Sequence, residues 1–250
     1  MLWRKKDISK GVYGVNVGAG THAGRVREKN EDAYYAIPPL LAVADGMGGH
    51  AAGEIASHLA VNTLATWSSW DDPETDLWQC IQQANAAIYQ YAHSKHVREG
   101  MGTTLTAVHL SQETLYWAHV GDSRLYVMRD GDLMLQTQDH SVVAELQRSG
   151  NLTESEARLH PHRNVLTRAL GIDETVDIDR GSLQLRHGDR ILLCTDGLHG
   201  CLSEEHIAHI LAETDQPQLA VTNLIRQANQ NGGPDNITAI VADITGGDPR

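Results

Sequence analysis

The chain has 250 residues, 41% of them hydrophobic, enough to bury a sizeable core in one domain. Its formal net charge of −12 argues against a general binder of nucleic-acid backbone, which needs a basic face, and suits either plain solubility or a site that gathers carboxylates around cations. Three cysteines without a Cys-x-x-Cys pair make no disulfide framework, no stretch approaches the ~18 apolar residues of a membrane span, and MLWRKKDISK lacks a signal-peptide core, so a reducing, cytoplasmic setting is expected.

Strand-like runs open the chain at Tyr13–Val17 and Leu40–Ala44. Ala52–Trp67 then places Ala52, Ile55, Ala56, Leu59, Thr63, Leu64 and Trp67 on one helical stripe. Leu77, Ile81, Ala84, Ile88 and Ala92 form a second stripe, ending near Gly100. Three strands follow at Thr104–Leu110, Thr114–Val120 and Arg124–Met128, joined by short turns that favour antiparallel pairing. Asp130-Gly131 reads as a plain hairpin turn. Residues 139–172 are polar, with short helical patterns and a proline, and read as a surface flap. A strand at Asp189–Thr195, a helix capped by Ser203 that begins Glu204-Glu205, a helix over Gln216–Gln230 and a strand at Asn236–Asp243 complete the chain. The result is a layered architecture of helices and sheets without βαβ alternation.

The aspartates stand at the margins of these apolar runs. Asp32 precedes a short strand, Asp45 ends LLAVAD, Asp122 follows LYWAHVG, Asp196 ends RILLCTD, and Asp235 precedes the last strand. Burying such acids is costly unless they are paired or bind cations. Strand ends can gather them at one rim, and carboxylates with backbone carbonyls are the ligands of Mg²⁺ or Mn²⁺. Each pair has a plainer reading as turn chemistry, since Asp130-Gly131 shows this chain using Asp-Gly for a hairpin. Both readings stay open on the residues alone.

Other chemistries find little support. His93/His96, His206/His209 and His160/His162 are close pairs, but no His-Glu-x-x-His or paired-cysteine motif accompanies them. Cys194 lies in an apolar strand and reads as inert core. Neither a Gly-x-Ser-x-Gly elbow nor a P-loop lysine motif occurs.

Seven segments, RVREKNEDA, LLAVADGMGGHAAGEIAS, GTTLTAVHL, WAHVGDSRLYVMRDG, NVLTRALG, RILLCTDGLHG and GGPDNITAIVADI, appear in order over nearly the whole chain. They resemble the metal-dependent protein phosphatase 2C family, bacterial serine/threonine type. The resemblance implies an α+β fold of four layers, α-β-β-α, in which two central antiparallel sheets are flanked by helices and joined by a flap at about 139–172, all within one phosphatase domain whose core spans about 12–243. It also implies two Mn²⁺ or Mg²⁺ ions, with a possible third, at one end of the sandwich. By motif, Asp45 would bridge the two ions, Gly46 would offer its carbonyl, and Asp196 and Asp235 would complete the pair. Asp32 would hold metal-bound water through hydrogen bonds, Asp122 with Asp196 matches a third-metal position, and Arg27 matches the arginine that grips the substrate phosphate. Many eukaryotic relatives carry histidine directly after Asp-Gly, where this chain has Met47. His50 nearby is a candidate for acid catalysis, for a hydrogen bond near the metals or for helix-entry structure, the last being favoured. The implied substrates are phosphoserine and phosphothreonine proteins, and the implied opponent is a serine/threonine kinase. A monomer is expected. The competing reading is a catalytically weak relative that binds phosphoproteins as a regulatory module; the presence of Asp45, Asp196 and Asp235 argues for the enzyme.

Overall fold

The computed structural model describes residues 14–48, 52–94, 100–153, 156–157 and 160–246. Its eleven strands are β1 (Gly14–His22), β2 (Asp32–Ile37), β3 (Leu40–Met47), β4 (Gly102–Thr103), β5 (Leu105–Ser111), β6 (Thr114–Val120), β7 (Arg124–Arg129), β8 (Asp132–Leu135), β9 (Asp179–Gln184), β10 (Arg190–Cys194) and β11 (Ile237–Thr245). The helices are α1 (Ala52–Ala65), α2 (Pro73–Ser94), α3 (Val142–Arg148), α4 (Asp196–His199), α5 (Glu204–Glu213) and α6 (Pro217–Gln230). One sheet runs β1-β11-β10-β7-β8; the other runs β2-β3-β5-β6-β9, with the short β4 added against β3. Every strand pair is antiparallel.

Three separate apolar clusters divide the molecule into four layers. Leu41, Val43, Val108, Leu125, Ile191, Leu193 and Ile240 fill the space between the two sheets. The alternate residues of the same strands face outward. Ala42, Ala44 and Ala107 pack with Ala56, Ala60, Leu64, Ile81, Ala84 and Ile88 of α1 and α2. On the opposite side Leu192, Cys194, Ala239 and Val241 pack with Ile207, Leu211, Val221 and Leu224 of α5 and α6. Because both faces are buried, these strands read as continuous apolar runs instead of alternating ones. Alanine on the helix-facing side of β3 lets α1 lie close to the sheet.

The strand runs and helical stripes read from the sequence form the elements expected of them, with shifted ends. β1 extends to His22, and the expected start at Tyr13 lies outside the described residues. α1 stops at Ala65, short of Trp67, and the described part of α2 ends at Ser94, the expected end near Gly100 being separated from it by residues 95–99, outside the described residues. β9 was not read from the sequence. Its burial alternates between partial and exposed along DRGSLQ, the pattern of a sheet edge with no deep apolar residue to announce it. Within residues 139–172, Ser141 caps α3 through the Ala144 N–H. A backbone bridge from Ser141 to Leu166 closes that segment on itself, and a bridge from Thr103 to Leu170 ties its C-terminal end to β4. Among the described residues no helix is long and apolar enough to cross a membrane.

Candidate active site

The two sheets deliver their strand ends to one side of the sandwich. There a cavity of about 520 Å³ is lined by Arg27, Asp45, Gly46, Asp122, Asp196 and Asp235, with Asn164 and Leu166 reaching it from the 139–172 segment. Residues 208 positions apart in the chain, Arg27 and Asp235, thus share one space. Asp32 stands directly behind them. As the first residue of β2 it pairs in register with Asp45 of β3.

The Asp-Gly pairs now separate into two kinds. Asp130 and Gly131 have positive φ, 54° and 93°, and a Cβ on Gly131 would meet open space; this is a hairpin turn. Gly46 lies within β3 opposite Thr103. A Cβ there would lie 2.1 Å from the Gly53 carbonyl oxygen and 2.6 Å from that of Glu31. Gly197 sits in the first turn of α4, and its Cβ would lie 2.0 Å from the Asn236 carbonyl oxygen. These glycines allow backbone to pack against backbone, which draws Asp196 up to the Asp235 loop and Asp45 up to the start of α1.

Electrostatically the cluster is under load. Burial is the largest influence on Asp32, raising its pKa to about 7; hydrogen bonds from Thr238 and Thr195 oppose the rise, and Asp196 and Asp235 add to it. Burial likewise pushes Asp196 up to about 6, reinforced by Asp235 and opposed by its hydrogen bond with Asp45 and by Arg27. Asp45 is raised well above the ordinary carboxylate range by burial and then by Asp32, Asp196, Asp122 and Asp235. Asp122 is raised by burial, Asp196 and Asp139, against the pull of Arg124. Like charges in low dielectric disfavour full ionisation unless a cation enters.

Positive charge comes from one side. Arg27 Nη2 donates to Asp235 Oδ2 at 2.8 Å, with the arginine side chain 53% exposed. Its loop is pinned by Asn236. The Asn236 side chain donates to the carbonyls of Ala23 and Lys29 and accepts from the Glu31 N–H. The Arg27 loop and the Asp235 turn are therefore one structural unit.

Do these residues suit a hard divalent cation? The donor set is entirely oxygen, as Mg²⁺ and Mn²⁺ prefer. Two buried carboxylate oxygens, Asp32 Oδ1 and Asp196 Oδ1, lack any hydrogen-bond partner. Among the described residues no three His, Cys, Asp or Glu side chains are already drawn in around one point; the acids ring the cavity instead. A site that completes its coordination with water does not need them closed. The residues fit. Among the described residues no histidine lines the cavity. His206 and His209 lie on α5, His160 and His162 are ring neighbours in the 139–172 segment, and His50 and His96 lie outside the described residues.

A model of the family described as protein phosphatase 2C matches residues 19–231. The chain belongs to the protein phosphatase 2C family. It is 43% identical over 230 residues to the serine/threonine protein phosphatase PstP of Mycobacterium tuberculosis, covering 90% of this chain and 44% of that protein, so it spans less than half the length of that relative. It is 38% identical over 235 residues to the serine/threonine phosphatase Stp of Listeria monocytogenes, covering 89% of this chain and 93% of the relative. Among solved structures, the catalytic domain of PstP in complex with two manganese ions superposes with a TM-score of 0.86 at 39% identity, covering 92% of this chain and 98% of that domain.

Within this family member the sequence reading named the acids but not what holds them. Thr195 Oγ1 and Thr238 Oγ1 both donate to Asp32 Oδ2, at 2.9 and 2.6 Å. Thr195 also accepts from the Thr238 N–H at 3.0 Å. Threonine in a strand reads as a β-branched packing residue, so only its position beside an acid-bearing strand end could have flagged it. Asn236 carried a clearer signal, following Asp235 directly in PDN.

Proposed function

We propose that the chain is a metal-dependent phosphatase acting on phosphoserine and phosphothreonine in proteins, by direct attack of water and without a phosphoenzyme. The observation that carries this is the convergence of Asp45, Asp122, Asp196 and Asp235 with Arg27 on one cavity. Two Mn²⁺ or Mg²⁺ ions, when bound, supply charge to offset the phosphate's repulsion of the nucleophile and lower the pKa of a water between them.

The chain's own residues have separable tasks. Asp45, Gly46, Asp196 and Asp235 would hold the two core ions, and Asp122 with Asp196 a third. Asp32 has Oδ2 pinned by two threonines while Oδ1 stays unpartnered; the free oxygen can accept a hydrogen bond from water and orient it. Arg27 offers a planar fork to two phosphate oxygens. Its partner here is Asp235, and an entering phosphate would take over part of that pairing. Asn164 and Leu166 bring the flap, residues 139–172, to the substrate side of the cavity. His50 is assigned to helix entry in preference to acid catalysis.

The whole chain would act as one domain and as a monomer in a reducing cytoplasm, in keeping with three free cysteines, and would reverse a serine/threonine kinase. The deciding experiment measures phosphate release from a phosphothreonine peptide with Mn²⁺, with EDTA, and by Asp196→Ala. Turnover only in the Mn²⁺-loaded wild type supports the enzyme. Peptide binding by both proteins with hydrolysis by neither would leave a regulatory binding module.

A further inference from the structure

Thr104 lies between two acid-bearing segments and touches both. It is 1% exposed, in the turn between β4 and β5. On one side it exchanges hydrogen bonds with the Asp45 backbone. The Asp45 N–H donates to Thr104 Oγ1 at 2.9 Å, and the Thr104 N–H donates to the Asp45 carbonyl at 2.9 Å. On the other side Thr104 Oγ1 lies 2.8 Å from the buried Ser123 Oγ. Because Thr104 Oγ1 already accepts from an amide, its own proton is available to Ser123. Its methyl side presses on the residue preceding Asp122: a Cβ at Gly121, where φ is +111°, would lie 2.6 Å from Thr104 Cβ and Cγ2. Asp122 is thus flanked in sequence by two residues that Thr104 contacts.

We infer that Thr104 is a positioning residue that sets the distance between Asp45 and Asp122, and so couples the core ions to the third-ion position. The inference rests on the proposed reading of those two acids as ligands. The physical reason is that the hydroxyl is buried and bonded on both sides. Neither Asp45 nor the Gly121–Ser123 segment can shift without breaking a buried hydrogen bond. The Thr106 hydroxyl, which donates to the Ser123 carbonyl at 3.0 Å, stiffens the far side. Partners that orient ligands carry about 10- to 100-fold in metal affinity.

Titration calorimetry of Mn²⁺ into the ion-stripped full chain tests this, alongside melting of the ion-free proteins. Thr104→Val keeps the shape and removes the hydroxyl; it is expected to weaken Mn²⁺ binding about 10-fold or more, with Thr104→Ser restoring most of the loss. Ser123→Ala should weaken Mn²⁺ binding in the same direction by less. Wild-type Mn²⁺ affinity in Thr104→Val, accompanied only by a lower melting temperature, overturns the inference. If Thr104→Val does not fold, Ser123→Ala decides, and unchanged Mn²⁺ affinity there overturns it equally. Asp45→Ala is the control on the ligand reading: Mn²⁺ bound by it as tightly as by wild type would strike that reading itself, an outcome distinct from wild-type affinity in Thr104→Val with weakened binding in Asp45→Ala, which overturns the role of Thr104 alone.

Discussion

Arg27 and Asp235 form a 2.8 Å ion pair at the mouth of the cavity, 208 positions apart in sequence. The guanidinium stands beside an acid that the proposed chemistry uses as an ion ligand, and Asp235, Asp45 and Asp196 all favour its charged form. Arg27→Ala should therefore act on substrate more than on ions. A charge-assisted hydrogen bond contributes about 1.5–3 kcal/mol, so kcat/KM on a phosphothreonine peptide should fall roughly 10- to 100-fold, chiefly through KM. Mn²⁺ affinity should hold or improve, since Asp235 is released. Steady-state kinetics with a parallel Mn²⁺ titration checks both, and an unchanged kcat/KM would remove Arg27 from phosphate binding.

The crowding of acids predicts a trade between function and stability. Asp45 and Asp196 are each raised by burial and by one another's charge or that of their neighbours. In EDTA, Asp196→Asn relieves part of this repulsion while keeping the side chain's shape. The ion-free variant should melt higher than ion-free wild type; about 1 kcal/mol corresponds to roughly 2–4 °C at this size. The same substitution should abolish Mn²⁺-dependent turnover. Calorimetry in EDTA and a phosphate-release assay test the two halves separately, and a lower melting temperature would show that the acid contributes structure as well as charge.

How much of this was legible beforehand depended on the kind of residue. The acids could be read because aspartate ending an apolar run is conspicuous, and the helices α1, α2, α5 and α6 because their stripes are long. Gly46 and Gly197 were ambiguous with turn glycines, since sequence carries no information about a carbonyl arriving from Gly53 or Asn236. β9 was hidden by its half-exposed, polar face. Thr104, Thr195 and Thr238 were hidden by their ordinariness, because a hydroxyl that bonds a carboxylate or the backbone of an acid looks the same in sequence as one that packs in a strand. Family resemblance reached the acids proposed as ligands; only coordinates reached their supports.

The same cluster sets a pH dependence. Asp32 and Asp196 titrate at about 7 and about 6 in the folded protein. A carboxyl raised on folding holds protons more tightly folded than unfolded. Its contribution is present at low pH and fades as pH rises from about 4 through those folded values. Buried histidines run the other way: burial lowers His109 and His119 to about 4, so their penalty disappears as pH rises from about 4 to about 6.5. Neither of these histidines lines the cavity, so they should cancel between ion-free and ion-loaded protein. The Mn²⁺-induced rise in melting temperature should therefore widen from about pH 5.5 to about pH 7.5, as protons cease to compete for the carboxylates. A rise that stays flat across this range would separate the ions from these acids.

Asp139, at the start of the 139–172 segment, carries a structural prediction. Arg124 Nε and Nη2 donate to its two oxygens at 2.9 and 2.8 Å, with side-chain exposures of 22% and 14%. Arg124 also donates to the Tyr126 hydroxyl, and Asp139 accepts from Arg148 through its carbonyl. Burial would raise the Asp139 carboxyl, but the guanidinium overcomes it and leaves the group below its ordinary range. Asp139→Ala would leave a mostly buried guanidinium with only a longer, 3.7 Å contact to the exposed carboxylate of Glu204, and losing the buried partner of such a pair costs about 3–5 kcal/mol. Replacing both partners with apolar residues, Arg124→Met with Asp139→Leu, should cost clearly less, because no charge is left behind. Urea unfolding of the three variants tests this. A double variant as unstable as Asp139→Ala would show that the hydrogen-bond geometry at the start of the 139–172 segment, and not the uncompensated buried charge, dominates the loss.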